Sequence, residues 1–326
     1  MNTHWFDTWT RALSSRRTLL GRLTAGGLGL GVSLLTPVDS DARCVRLGKI
    51  CKTTRGRQRC CGGATCRGRK CRCTGGRSAC GRSCCSKAAT CQDKRCRACD
   101  VCPNGCRFTS LVAAVNAAVP GGTIRVCPGS FPGSVTIAKN LTIVGAGAHR
   151  TTLDGLGAFR VLTVNAGSTV VLRDLTVTQG VITDNGAGIL NSGNLTLERV
   201  TVSNCRGNDG GGIYSNGTLT VRQSLITGNT ANRGAGLFIT ASTATMEASH
   251  VVGNRANDWG GGWYITASTA TLGNGTTVTG NTAVNQTGGG IFSFLGSTVT
   301  IAADSQVIGN TPNNCAPTGA VPACVG

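Results

Sequence analysis

Three aspartates and an arginine stand where short glycine-rich triplets begin. Asp184 and Asp258 lie two places before Gly186 and Gly260, while Asp209 and Arg233 lie one place before Gly210 and Gly234. If the triplets mark one turn of a stacked repeat, these side chains share an edge of the molecule. Carboxylates on neighbouring repeats would then stand about 5 Å apart, a separation compatible with retaining glycoside hydrolysis. The same oxygens could gather Ca2+. Asp and Asn also precede Gly in ordinary turns, where the short polar side chain bonds its own backbone, so a purely structural reading stays open. No dedicated metal site or cofactor motif accompanies them: His149 and His250 stand alone.

The elements that would position these residues are repeats. Triplets begin at Gly186, Gly210, Gly234, Gly260 and Gly288, and a second marker keeps step at Asn204, Asn229, Asn254, Asn281 and Asn310. Two markers with matched drift argue for stacked coils. Pieces such as "GTLTVRQSLITGN" and "STVTIAADSQVIGN" alternate with period two and are rich in Thr, Val and Ile, the pattern of strands. A unit of about 24 residues, divided into three short strands and three turns, has the size of one rung of a parallel β-helix, with rungs about 4.8 Å apart.

From about Phe108 to Asn310 the chain resembles the right-handed parallel β-helix proteins of the pectin-lyase-like superfamily. Its GG-x-[IL] and x-x-GN repeats are similar to those of polymorphic outer-membrane adhesins. The resemblance implies an all-β fold, a right-handed parallel β-helix with an N-terminal cap helix, preceded here by a small disulfide-rich module. It implies two functions. One is a non-catalytic binding, adhesion or structural protein of the cell surface or exterior; the alternative is a secreted polysaccharide lyase or glycoside hydrolase. The polygalacturonase signatures are missing, since the coil has no Asp-Asp pair, no His-Gly and no Arg-x-Lys. A lyase would need a basic residue near a bound cation, and Arg233 alone is roughly placed for that.

After each triplet come Ile189, Ile213, Leu237, Trp263 and Ile291, followed by Leu190, Tyr214, Phe238, Tyr264 and Phe292. If the first set points inward, alternation sends the second outward. Tyr214, Phe238, Tyr264 and Phe292 then form an aromatic ladder suited to stacking on sugar rings. A reversed register, or rings that stack on one another, remains the other possibility.

Upstream of the repeats, "FTSLVAAVNAAVPGG" suggests an amphipathic helix with Leu111, Val112, Val115 and Val119 on one side, covering the open first rung. In similar exported proteins a Cys before this helix faces the Cys of "RVCPG", which implies Cys106–Cys127 and also Cys99–Cys102. Cys315–Cys324 would close the tail, residues 315–326, after a coil spanning 107–314. Cys205 is left as a buried thiol.

Charge and cysteine are concentrated before the coil. Of 32 Lys and Arg, 17 lie in residues 41–106, as do 15 of the 19 Cys. Such density argues for an oxidising compartment and covalent staples; without a His in the segment, a zinc cluster is the weaker choice. Cys44 to Cys71 and Cys73 to Cys96 form two sets of six with similar spacing, C-x6-C-x8-CC-x4-C-x4-C and C-x6-C-x3-CC-x5-C-x4-C. They resemble knottins, which implies Cys44–Cys61, Cys51–Cys66, Cys60–Cys71, Cys73–Cys85, Cys80–Cys91 and Cys84–Cys96. The basic loops between them suit an acidic surface polymer or serve only as a solvated face. They lack the aromatics that single-stranded nucleic acid would stack on, so specific nucleic-acid recognition is not expected.

Residues 1–42 read as an export signal. "SSRRTLLGR" resembles the twin-arginine signal at Arg16 and Arg17, followed by an uncharged run from Leu23 to Val38 and a small-residue finish at Ala42. That run is short for a membrane span, which needs about 20 apolar residues, so no transmembrane segment is expected after cleavage. Folded export conflicts with cytosolic reduction of the cystine module. Either it oxidises after transit, or the general secretory route is used.

Overall fold

The computed structural model describes residues 99–317 in full, with Gly319, Val321 and Cys324, and before them only the backbone of short strands between Cys44 and Ala98. The expected signal and the six knottin-type bridges lie outside the described residues. Within the Cys-rich stretch, Thr65–Arg67 pairs antiparallel with Lys70–Arg72 and Ala89–Gln92 with Arg95–Ala98. No described helix is long and apolar enough to cross a membrane.

The remainder is a parallel β-helix of three eight-stranded sheets. Each rung passes through the first, second and third sheet in turn. The first sheet runs from Gly129–Pro132 to Gln306–Ile308, the second from Val135–Ile137 to Cys315–Ala316, and the third from Gly122–Arg125 to Thr298–Ile301. Alternation decides which side chains enter: Thr218–Arg222 buries Leu219 and Val221 and turns Thr218 and Arg222 outward. Ile189, Ile213, Leu237, Trp263 and Ile291 stand in one file, as the triplet alignment requires, and all are fully buried. Each such aliphatic side chain stabilises the coil by about 1.5–3 kcal/mol relative to exposure.

Corners satisfy their backbone through side chains of the next rung. Val200 and Ser224 donate N–H to Ser224 Oγ and Ser249 Oγ, both at 3.0 Å. A buried asparagine ladder does the same at another corner. Asn229 Nδ2 donates to Asn254 Oδ1 at 2.9 Å, Asn254 Nδ2 to Asn281 Oδ1 at 2.9 Å, and Asn281 Nδ2 to Asn310 Oδ1 at 3.0 Å. The sequence marker fails at its first member. Pairing Val202 with Ile226 and Ser203 with Thr227 brings Asn204 beside Gly228. Asn204 has φ 53°, where Gly228, Gly253, Gly280 and Gly309 have 63–66°; Asn tolerates this left-handed bend. Cys205 therefore holds the ladder position, and its N–H donates to Asn229 Oδ1 at 3.0 Å.

The cap helix α1, Leu111–Ala117, packs on Val135–Ile137 and buries Leu111, Ala114 and Val115. Two residues of the expected face lie outside the contact: Val112 is 39 % and Val119 70 % exposed. Residues i, i+3 and i+4 share a helix face, which places Ala114 in the contact, and Val119 follows the helix end. Lys139 Nζ caps that end on the carbonyls of Asn116 and Ala118 at 3.3 and 3.1 Å.

Two disulfides differ from the expected pairing. The structure joins Cys99 to Cys127 and Cys102 to Cys106, in place of Cys99–Cys102 and Cys106–Cys127. Val101 bridges in parallel to Val126, and Cys127 N–H donates to Val101 O at 2.9 Å, which holds this segment against the first rung with the Cys99 and Cys127 Cα atoms 5.5 Å apart. The loop then folds back, with Phe108 N–H on Asp100 O, and meets Cys102 through Cys106. Cys315–Cys324 forms as expected, and Cys205 is a free, buried thiol. Cys315–Ala316 adds a last parallel strand on Ile291 and Phe292, and beyond it Val321 is buried in the core with Cys324 packed against it.

Candidate binding groove

From the rung that begins at Thr151–Asp154 onward, the corner between the first and second sheets is the longest of each rung. It spans Thr227 to Leu237, whereas the other corners of that rung span only Ser215 to Thr218 and Arg222 to Leu225. Glycine makes it possible. The first triplet residues, such as Gly210 and Gly260, have φ 61° and 66°, and a Cβ at Gly212 would come within 2.6 Å of the Gly236 carbonyl. The three aspartates and Arg233 lie here.

The acids do not stack in one file. Asp209 O accepts the Gly186 N–H, Arg233 O that of Gly210, and Trp259 O that of Gly234, so this file runs Asn185, Asp209, Arg233, Trp259. Asp184 belongs to another file, in which its carbonyl accepts Asn208 N–H and Asn208 O accepts Asn232 N–H; Asp258 N–H then donates to Asn232 O. Standing one rather than two places before the triplet therefore changes a residue's file. Asp209, 4 % exposed, is held by Arg233 Nε and Nη2 at 2.9 and 2.6 Å. Asp184 is largely exposed and pairs with Arg160 at 3.2 Å. Asp184 and Asp209 stand on adjacent rungs but in different files, each on its own arginine, and Asp258 lies two rungs beyond Asp209, so no two of these carboxylates share a file on adjacent rungs. Among the described residues no three His, Cys, Asp or Glu side chains gather to hold a metal ion.

Tyr214, Phe238, Tyr264 and Phe292 leave the second sheet on its outer side and stack on one another. Their centroids are 5.1, 4.6 and 5.2 Å apart, with planes within 16°. Phe238 and Tyr264 are only 5 % exposed, and the Arg233 guanidinium lies over both, 5.2 and 5.4 Å from the ring centres. The ring faces that a sugar would need at these two positions are taken by neighbouring rings. Burial, then the Asp209 charge, pushes the Tyr214 phenol above its usual range; burial does the same at Tyr264. The hydrogen bond to Asp209 raises the Arg233 guanidinium further.

Beside this file runs an open groove of about 780 Å³, lined by Val181, Thr183, Arg206, Asn208, Thr230, Asn232, Arg255 and Asn257 among others. A narrow three-stranded sheet, Thr230–Ala231, Arg255–Ala256 and Thr282–Ala283, forms part of it. Arg206, Thr230 and Arg255 are in one file. An exposed amide ladder runs alongside, with Asn232 Nδ2 on Asn208 Oδ1 at 2.8 Å and Asn257 Nδ2 on Asn232 Oδ1 at 2.9 Å. Arg160, Arg173, Arg199, Arg222 and Arg233 each meet a carboxylate. Arg206 and Arg255 have none among the described residues; Arg255 Nη1 reaches Asn257 Oδ1 at 3.4 Å. None of these groove residues stood out in the sequence. The signal was there, because Asn208, Asn232 and Asn257 precede successive triplets by two or three places.

Sheets, rungs and corners together define a parallel β-helix with a polar groove along one corner. Residues 160–311 match the model of the right-handed β-helix region, and the coil is a right-handed parallel β-helix. No curated protein matches the chain. Among solved structures the chain is similar to the crystal structure of pectate lyase Pel9A, with 14 % identity over 62 % of this chain and 74 % of that one, at a TM-score of 0.29.

Proposed function

We propose that this is an exported, non-catalytic β-helix protein that binds an acidic polysaccharide along the groove. The observation that carries the reading is the pair Arg206 and Arg255. Each lacks a carboxylate partner among the described residues, and they lie two rungs, roughly 10 Å, apart in one file. A linear polymer lying along the coil axis would meet both guanidiniums with its anionic groups and the amides of Asn208, Asn232 and Asn257 with its hydroxyls. Export rests on the residue 1–42 signal, and the Arg-rich cystine module adds a second basic surface.

The test is binding of the full chain to an immobilised polyuronate and to a neutral glucan. The polyuronate should bind, and added salt should weaken it. Arg206→Gln with Arg255→Gln should weaken it about tenfold or more, as expected for losing two charge-assisted contacts. Equal binding of both polymers, or no effect of the double variant, removes the reading. The lyase or hydrolase alternative needs Asp209 to act while held by Arg233. Product release abolished by Asp209→Asn would replace binding by catalysis.

A further inference from the structure

The two ends of the coil are finished differently. At the first rung α1 lies on Val135–Ile137, and Asp100 N–H and Val101 N–H bond to Arg125 O at 2.8 and 3.1 Å. At the last rung the second sheet is continued by Cys315–Ala316, and Val321, 3 % exposed and tied in through Cys315–Cys324, closes the interior. Thr298–Ile301 and Gln306–Ile308 end the third and first sheets with no further strand among the described residues. Thr298, Thr300 and Gln306 are exposed there, as are Phe294, Leu295 and Ile308 at 46, 65 and 51 %. An edge of this kind offers unpaired N–H and C=O groups to another chain, and proteins usually blunt it with Lys, Pro or a bulge. These two strands contain neither Lys nor Pro.

The same end carries a single charged side chain, Asp304, exposed in the turn between the two open strands. The chain carries +19, yet from Trp259 to Gly326 the only charged side chain is Asp304. Outward ion pairs cover earlier rungs of the third sheet, Arg173 with Glu198 and Arg222 with Glu247, and the file stops there. The long-range repulsion expected between basic proteins is therefore weakest where the edges are open.

We infer that this end docks against the same end of a second copy, giving a two-fold dimer by antiparallel pairing of the open edges. A surface whose one charge is Asp304 offers little to a charged partner, whereas its own two-fold image supplies matching backbone groups and matching apolar side chains at Leu295 and Ile308. Because the opposite end is covered, the contact closes at two copies and does not propagate into a filament.

Sedimentation velocity of the full chain over about 1–100 µM tests this, a range in which weak dimers dissociate. The expected result is a monomer–dimer equilibrium. Thr300→Lys with Ile308→Lys, and separately Leu295→Lys in the exposed turn, should raise the dimer dissociation constant about tenfold or more. Thr196→Lys, in a mid-coil strand of the same sheet, should leave the dimer intact. Circular dichroism and the urea midpoint confirm that each variant is folded. A monomer throughout the range, larger polymers, or a dimer that survives both sets of edge variants overturns the inference.

Discussion

Arg233 forks onto Asp209 with two bonds across adjacent rungs, while the flat side of its guanidinium rests on the Phe238 and Tyr264 rings. A carboxylate that is 4 % exposed would be costly if left alone. Arg233→Met should therefore destabilise the coil by about 2–4 kcal/mol in urea unfolding, toward the low side because the arginine is partly exposed. Adding Asp209→Asn should recover much of that loss. A single variant within about 0.5 kcal/mol of wild type, the range of ordinary surface changes, would mean the pair is not holding this corner.

The asparagine ladder makes a prediction through its odd member. Asn254 Nδ2 also donates to Ile226 O at 3.0 Å, so Asn254→Leu should leave several buried backbone and amide groups unpaired. A cost of about 2–4 kcal/mol is expected. Cys205→Asn should by contrast lie within about 0.5 kcal/mol of wild type. The new amide would find Asn229 Oδ1 in front and the Val177 carbonyl behind, the same partners that Asn229 finds in Asn254 and Val202. Thermal and urea unfolding of the two variants should separate clearly; equal losses would show that Cys205 is not in the file.

How far such files could be read from sequence depended on single residues. Glycine triplets and strand alternation are tied to backbone geometry, so Ile189, Ile213 and Leu237 fell in line. Letters that merely resembled the marker did not: Asn204 serves as the left-handed bend, a role filled elsewhere by Gly228 and Gly253. The acid row dissolved because one place before a triplet and two places before it are different files. Cys99 and Cys102 could not be paired correctly without knowing that the loop folds back, with Phe108 on Asp100 and Cys102, and brings Cys106 to Cys102. Arg206 and Arg255 look like any surface arginine until the carboxylates of the other arginines are located.

Burial pushes the Cys205 thiol from 9.0 up to about 12. The folded protein keeps this proton until about pH 12, whereas the unfolded chain releases it near pH 9. The contribution is thus complete below pH 9 and is lost as the pH rises from about 9 to about 12. Between pH 8 and 10 the wild type should lose about 1.4 kcal/mol more stability than Cys205→Ala. Tyr214 and Tyr264, whose phenols are also raised, are present in both proteins and cancel in the difference. Urea midpoints at the two pH values supply the measurement. Parallel losses in the two proteins would mean that the thiol is not shielded.

The bridges at the coil entry should differ in weight. Cys99–Cys127 closes a separation of 28 residues and ties the segment before α1 to the first rung, whereas Cys102–Cys106 closes only four. Chain entropy assigns roughly 3–4 kcal/mol to the longer closure and less to the shorter. Cys99→Ala with Cys127→Ala should lower the urea midpoint strongly, and it should also loosen the first rung, because Asp100 and Val101 are then tied to it only by hydrogen bonds to Arg125 and to the backbone of residue 127. Cys102→Ala with Cys106→Ala should cost less and leave the first rung protected from hydrogen exchange. Mass mapping of non-reduced proteolytic fragments settles the pairing first: a fragment joining Cys106 to Cys127 would refute the Cys99–Cys127 and Cys102–Cys106 bridges from which both expectations follow.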